Sequence, residues 1–235
     1  MTSKTSINNN KRMNKLEVLS YLNKENPKKI AILLHGYGDQ ANNFISLAKS
    51  LKDKSLEINY YAPNAPFAVP QHPLGRQWFN PYPNGIHYNE VGKNEKEIMK
   101  QEIEESIKQL YSYIKQLLSK KNLLHQDLFL IGFSQGAMIA YELGNYINKQ
   151  LAGCVMLSGR ILSKNNFTNK LFSKTSLLIL HGDSDDIVSP KYFAESCKIA
   201  KLNKLSFESH LLHNEGHNIS LEMLQITQKF LKKNM

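Results

Sequence analysis

Residues Gly132-Phe133-Ser134-Gln135-Gly136 stand between an apolar run, "LFLI", and a segment of helical pattern, "AMIAYEL". A serine alcohol acts as a nucleophile only when it projects clear of its surroundings and a base removes its proton. Projection above a sheet requires a sharp strand-to-helix turn with strained backbone angles at the serine. Such a turn crowds the positions two before and two after, where a Cβ would clash, and both positions here are glycine. The helix that follows aims its N-terminal N–H groups at the serine, which favours developing negative charge. A tight turn whose glycines serve only packing is the plainer reading of the same five residues.

The base and the acid that orients it should follow the serine in the order Ser, Asp, His, each just past a strand. The run "LLIL" leads into His181-Gly182-Asp183-Ser184-Asp185-Asp186-Ile187-Val188, and "LSFESHLLH" leads into Asn214-Glu215-Gly216-His217. Of the three aspartates, Asp185 is the first choice for the acid, with Asp183 capping the turn. Asp186 and Asp183 stay open as alternatives, and all three can serve as turn formers or helix caps. His217 follows a glycine and precedes the last helical run, which suits the base. His210 and His213 are expected to pack or face solvent, and His35 and His181, each in a His-Gly pair, to orient loops. An oxyanion needs two donors. The backbone N–H of Gln135 is one, and that of Tyr37, in the early loop "LLHGYGDQANNF" with Gly36 and Gly38, is the other.

Four features must then be brought to one place, and the remaining sequence indicates how. The 235 residues, with 41% hydrophobic and 21% charged, suffice for one α/β domain. Short apolar runs at 16–22, 30–34, 58–62, 128–132, 152–158, 177–180 and 205–211 alternate with amphipathic stretches at 41–52, 95–120, 135–148, 190–202 and 219–232. Nearly unbroken apolar strands indicate a mostly parallel sheet covered on both faces. In 95–120 an apolar stripe of Ile98, Ile103, Ile107, Leu110, Tyr111, Ile114, Leu117 and Leu118 is expected to face the sheet. The polar residues 1–15 are expected to form a disordered N-terminus, with a single domain over 16–235. Segment 63–91 holds six of the eight prolines and the only tryptophan. It is expected to be neither helix nor central strand but an aromatic-rich wall or lid.

The formal charge of +10 suggests an acidic partner, but only Arg12, Arg76 and Arg160 among thirty basic residues are arginine. Scattered lysines are a poor nucleic-acid surface, so no nucleic-acid partner is expected. Cys154 and Cys197 have no metal or redox spacing and are read as free thiols. No apolar run is long enough to span a membrane, and no signal-peptide core precedes the domain, which points to a cytoplasmic protein.

The ordered set "LLHGYGD", "PNAP", "GRQWF", "GFSQG", "HGDSDDIV" and "GH" before a C-terminal helix resembles the phospholipase/carboxylesterase family, over roughly residues 28–232. The resemblance implies an α/β-hydrolase fold. It also implies a serine esterase with Ser134 as nucleophile, Asp185 as acid, His217 as base, and Tyr37 and Gln135 at the oxyanion. Trp78 and Phe79 would lie on the acyl-pocket wall, with no metal and no cofactor. Substrates implied are short-to-medium acyl esters, acyl thioesters including those of acylated proteins, and lysophospholipids, handled by a monomer or homodimer. The chain departs from the family pattern at Asp185-Asp186-Ile187-Val188-Ser189-Pro190, which carries an extra residue before the proline, and at Trp78-Phe79-Asn80. A non-catalytic protein of this fold binding a small hydrophobic ligand, or a serine peptidase on it, are the alternatives.

Overall fold

A computed structural model describes residues 16–53, 55–70, 72–163 and 172–235; the expected disordered segment 1–15 lies outside them. The apolar runs become strands β1 (Val18–Tyr21), β2 (Lys29–Leu34), β3 (Ile58–Pro63), β6 (Leu128–Phe133), β7 (Gly153–Leu157), β8 (Leu177–Gly182) and β9 (Phe207–Leu212). They form one seven-stranded sheet in the order β1-β3-β2-β6-β7-β8-β9. Only β1 runs antiparallel, against β3.

Alternation along the strands divides the core into two layers. Ile30, Ile32 and Leu34 share one face with Leu128, Leu130, Cys154, Met156, Leu177 and Ile179. Ala31, Leu33, Phe129, Ile131, Val155, Leu157, Leu178 and Leu180 share the other. Helices α3 (Lys93–Lys121), α4 (Gln135–Ile147) and α5 (Lys191–Leu202) cover the first face; α1 (Ala41–Phe44), α2 (Leu47–Leu51) and α6 (Leu221–Lys233) cover the second. This is the α/β-hydrolase arrangement, with helices on both faces of a mostly parallel sheet. Among the described residues no helix is long and apolar enough to cross a membrane.

Three local expectations change. The helix expected over 41–52 is two helices: at the junction the Ser46 N–H bonds the carbonyl of Asn43, only three residues back, and the Ser46 hydroxyl donates to the same oxygen at 2.7 Å. In α3 the buried stripe begins only at Ser106 and Ile107, and Ile98 is exposed. Within 63–91 the chain pairs with itself: β4 (Phe67–Val69) and β5 (His72–Gln77) form an antiparallel hairpin outside the main sheet. A single 3₁₀ turn at Pro83–Gly85 follows.

Strands β2, β6, β7, β8 and β9 are mutually parallel, so their C-terminal ends share one edge. Ligand sites of open α/β sheets lie outside that edge.

Candidate active site

Ser134 sits at the end of β6 with φ 53° and ψ −118°, a left-handed strained conformation. Its N–H donates to the Leu157 carbonyl of β7 at 2.9 Å, and its carbonyl accepts from the N–H groups of Ala137 and Met138. A Cβ on Gly132 would lie 2.1 Å from the Gly136 carbonyl oxygen, and one on Gly136 would lie 2.0 Å from that of Leu34. Both glycines are therefore imposed by backbone-to-backbone approach, as a nucleophile elbow requires.

His217, in the loop between β9 and α6, reaches this serine. Its Nε2 is 3.0 Å from the Ser134 Oγ, and its Nδ1 is 2.8 Å from Oδ2 of Asp185. A carboxylate at Nδ1 fixes the proton there and leaves Nε2 free to accept from the hydroxyl. The Phe133 ring lies against the imidazole with centroids 4.9 Å apart.

Asp185 is buried, in the loop after β8. Its Oδ1 accepts from the N–H groups of Ile187 (3.0 Å) and Val188 (2.8 Å). Its Oδ2 also lies 3.2 Å from Nε2 of His181, which stands 2.7 Å from the Val188 carbonyl. Two acceptors around one nitrogen place the His181 proton on Nε2, and burial holds that imidazole below its ordinary pKa, hence neutral. The carboxylate thus accepts several hydrogen bonds, which compensates its removal from water.

The competing aspartates are placed elsewhere. Asp183 takes the Nδ1 of His213 at 2.8 Å, the Asn214 N–H and the Ser184 hydroxyl. That exposed clasp ties the loop after β8 to the loop after β9, and the His213 bond leads in holding the Asp183 carboxyl below its usual range. Asp186 is exposed and lines the mouth of the cavity described below.

The loop after β2 carries Tyr37. It is pinned by the Gly38 N–H donating to the Arg76 carbonyl (2.9 Å) and the Arg76 N–H donating to that of Asp39 (3.0 Å), so the β4–β5 hairpin buttresses it. Among the described residues no acceptor takes up the backbone N–H of Tyr37 or of Gln135. The Gln135 side chain turns the other way: its Oε1 accepts from the Trp78 N–H and its Nε2 donates to the Phe79 carbonyl, both at 2.8 Å. His35 accepts from the Ala65 N–H at Nε2 and meets the Gly36 carbonyl through Nδ1, bracing these loops.

Tyr37, Ser134, Gln135 and His217 line a cavity of ≈ 440 Å³, with Phe79 in its wall. Trp78 is not in that wall. It is fully buried behind it, its Nε1–H donating to the His35 carbonyl at 2.9 Å, so the indole supports the loop rather than meeting a ligand. The wall also contains Met138, Tyr88, Val188, Tyr192 and Arg160, which the sequence reading did not assign. The arginine, one of three in the chain, was the available signal. Cys154 is buried and Cys197 half-buried, both free thiols. Among the described residues no three His, Cys, Asp or Glu side chains gather as metal ligands would.

The chain is 26% identical over 221 residues to acyl-protein thioesterase 1 homolog 1 of Dictyostelium discoideum, covering 92% of this chain and 96% of that protein. It is 28% identical over 221 residues to acyl-protein thioesterase 1 of Emericella nidulans, covering 86% and 88%. The crystal structure of esterase PE8 superposes with a TM-score of 0.80 at 25% identity, covering 94% of this chain and all of that one. The phospholipase/carboxylesterase family model matches residues 14–235, so the chain that folds around Ser134 belongs to this family of ester hydrolases.

Proposed function

We propose that the protein is a serine carboxylesterase that hydrolyses short-to-medium acyl esters, including acyl thioesters, through an acyl-enzyme. The observation that carries this reading is the unbroken chain Ser134 Oγ, His217 Nε2, His217 Nδ1, Asp185 Oδ2, with links of 3.0 and 2.8 Å, opening into a cavity.

The steps follow from the atoms present. As the Ser134 Oγ attacks the acyl carbon, its proton passes to His217 Nε2, and the imidazolium is stabilised by the Asp185 carboxylate at Nδ1. The carbonyl oxygen becomes an oxyanion. The N–H groups of Tyr37 and Gln135 are its donors, each worth roughly 10²–10³ in rate on typical precedent. His217 then gives its Nε2 proton to the departing alcohol or thiol. Water enters, loses a proton to His217 and attacks the acyl-enzyme, and Ser134 is regenerated as the acid leaves. A thioester requires no different residues. Phe79 and Met138 supply apolar wall for the acyl chain.

The test is labelling with a fluorophosphonate, read by intact mass and peptide mapping, on wild type and Ser134→Ala, beside turnover of p-nitrophenyl esters of increasing chain length. One adduct on Ser134, lost with turnover in the variant, is the expected result. Folded wild-type protein that takes no label and turns over no ester defeats the reading.

A further inference from the structure

Arg160 stands three residues past the end of β7 and lines the same cavity as Ser134. It is 8% exposed, and its Nε has no hydrogen-bond partner among the described residues. Among those residues it also forms no ion pair with any carboxylate, although Asp39 and Asp186 line parts of the same cavity. What it has is aromatic: the guanidinium carbon lies 4.3 Å from the ring centroid of Tyr192 and 5.1 Å from that of Tyr88, and both rings are also cavity wall. A buried cation without a counter-charge is unfavourable, and cation–π contacts offset only part of that cost. An anion arriving in the cavity would supply the rest.

The setting is rigid. A Cβ on Gly159 would meet the Ala137 Cβ at 2.5 Å and the Ser134 carbonyl oxygen at 2.9 Å, so the residue before Arg160 packs directly on the nucleophile elbow. After Arg160, the Ile161 N–H donates to the Ser196 hydroxyl, and those of Leu162 and Ser163 donate to the carboxyl of half-buried Glu142. The Tyr192 hydroxyl accepts from Asn89 Nδ2 at 3.0 Å, which leaves its own proton to donate. Lys191, whose ammonium lies 5.0 Å from the Tyr192 centroid, adds a second positive charge on the wall. In a chain with three arginines among thirty basic residues, this one is stacked on aromatic faces and held ready, the use for which the planar guanidinium is superior to lysine.

We propose that Arg160 is a specificity residue, binding a carboxylate or phosphate carried by the substrate, and that the preferred substrates are anionic esters. This deepens the esterase reading and rests on it. The anion can belong to the acyl half, as in the monoester of a dicarboxylic acid, or to the alcohol half, as in an acylated glycerol phosphate. Hydrolysis proceeds through the same acyl-enzyme in either case.

The experiment compares kcat/KM on two matched pairs: mono-p-nitrophenyl glutarate against p-nitrophenyl butyrate, and 1-butyryl-glycerol-3-phosphate against 1-butyrylglycerol. Wild type should prefer the charged member of at least one pair by about tenfold or more, as a charge-assisted hydrogen bond implies, with the preference falling as salt is raised. The pair that shows it identifies which half carries the anion. In Arg160→Gln the charged-to-neutral ratio should fall by about 10–100-fold, mainly through KM, with partial recovery in Arg160→Lys. Preference for the neutral member of both pairs overturns the proposal, and needs no variant that folds. Turnover of every ester without charge preference sinks Arg160 alone and leaves the esterase standing. If no ester is turned over, titration of Ser134→Ala with monobutyl phosphate and monomethyl glutarate decides separately. Binding lost with Arg160→Gln keeps the anion site, and absence of binding removes it.

Discussion

The Nδ1 of His217 stands 2.8 Å from Oδ2 of Asp185, inside the protein. Four residues earlier His213 makes a bond of the same 2.8 Å length to Asp183, at the surface. Two Asp–His pairs therefore join the same two loops, and among the described residues only in the buried pair does the histidine reach a serine through its second nitrogen. Asp185→Asn should lower kcat by about 10²–10⁴ while the protein stays folded, because the amide disturbs the tautomer and no longer stabilises the imidazolium. Asp183→Asn should change stability only slightly, as expected for an exposed pair, with kcat within a few-fold of wild type. Comparable kcat losses in the two variants would overturn the assignment of the acid to Asp185.

Trp78 and Phe79 are neighbours in sequence with opposite positions, one behind the cavity wall and one in it. Trp78→Phe removes the donor to the His35 carbonyl and leaves a buried acceptor unpaired, a loss of about 1–3 kcal/mol. At about 2–4 °C per kcal/mol for a chain of this size, Tm should drop measurably. The rank order of p-nitrophenyl esters by chain length should stay unchanged. Phe79→Leu should shift that order toward longer acyl chains. A shifted profile in Trp78→Phe would mean that the indole shapes the pocket after all.

The parts of this fold that were legible in advance are those with a local cause. Parallel strands buried on both faces must be apolar throughout, so "IAILL" and "LLIL" announced themselves. The elbow was legible because a Cβ at Gly132 or Gly136 would strike backbone. What was not legible depends on tertiary placement. No property of Asp185 alone separates it from Asp183; the distinction comes from the Ile187 and Val188 N–H groups that donate to its Oδ1. The β4–β5 hairpin was hidden by its prolines, which remain compatible with a strand pair outside the main sheet. Arg160, in the loop after β7, and Tyr192, in the first turn of α5, are far apart in sequence and meet at the cavity wall.

Gly136 and Gly38 separate two reasons for a glycine. At Gly136 an added methyl would lie 2.0 Å from the Leu34 carbonyl oxygen and 2.5 Å from that of His35, on backbone that cannot yield. Gly136→Ala should cost at least about 3 kcal/mol, the upper part of the overpacking range, or leave no soluble protein. Gly38 has open space but a φ of +79°, so Gly38→Ala should cost only about 1–2 kcal/mol of backbone strain. It should nonetheless reduce kcat, since the adjacent Tyr37 N–H is a proposed oxyanion donor. Urea unfolding of both variants checks the ranking, and a milder Gly136→Ala would contradict the close approach of α4 to β2.

His35 contributes stability that should fall as pH is lowered below neutrality. Burial is the largest influence on its imidazole and holds its pKa below 6.5; His181 is held low in the same way. In the unfolded chain both rings take up a proton near pH 6.5 while the folded rings stay neutral, so the unfolded state binds more protons there. Their contribution is complete above that pH and is lost progressively as pH falls from about 6.5 toward the folded values. Glu142 acts in the opposite sense, because burial raises its carboxyl pKa and the folded state then holds the extra proton at acid pH. The net slope therefore mixes two signs, and the histidine part is isolated by difference. His35→Gln keeps a donor for the Gly36 carbonyl and an acceptor for the Ala65 N–H but does not titrate. Its unfolding free energy, measured in urea between pH 8 and 5.5, should decline less steeply than that of wild type, with the two curves diverging below about pH 6.5. Parallel curves would show that His35 carries the same proton affinity folded and unfolded, contrary to its burial between Trp78 and the loop that holds Tyr37.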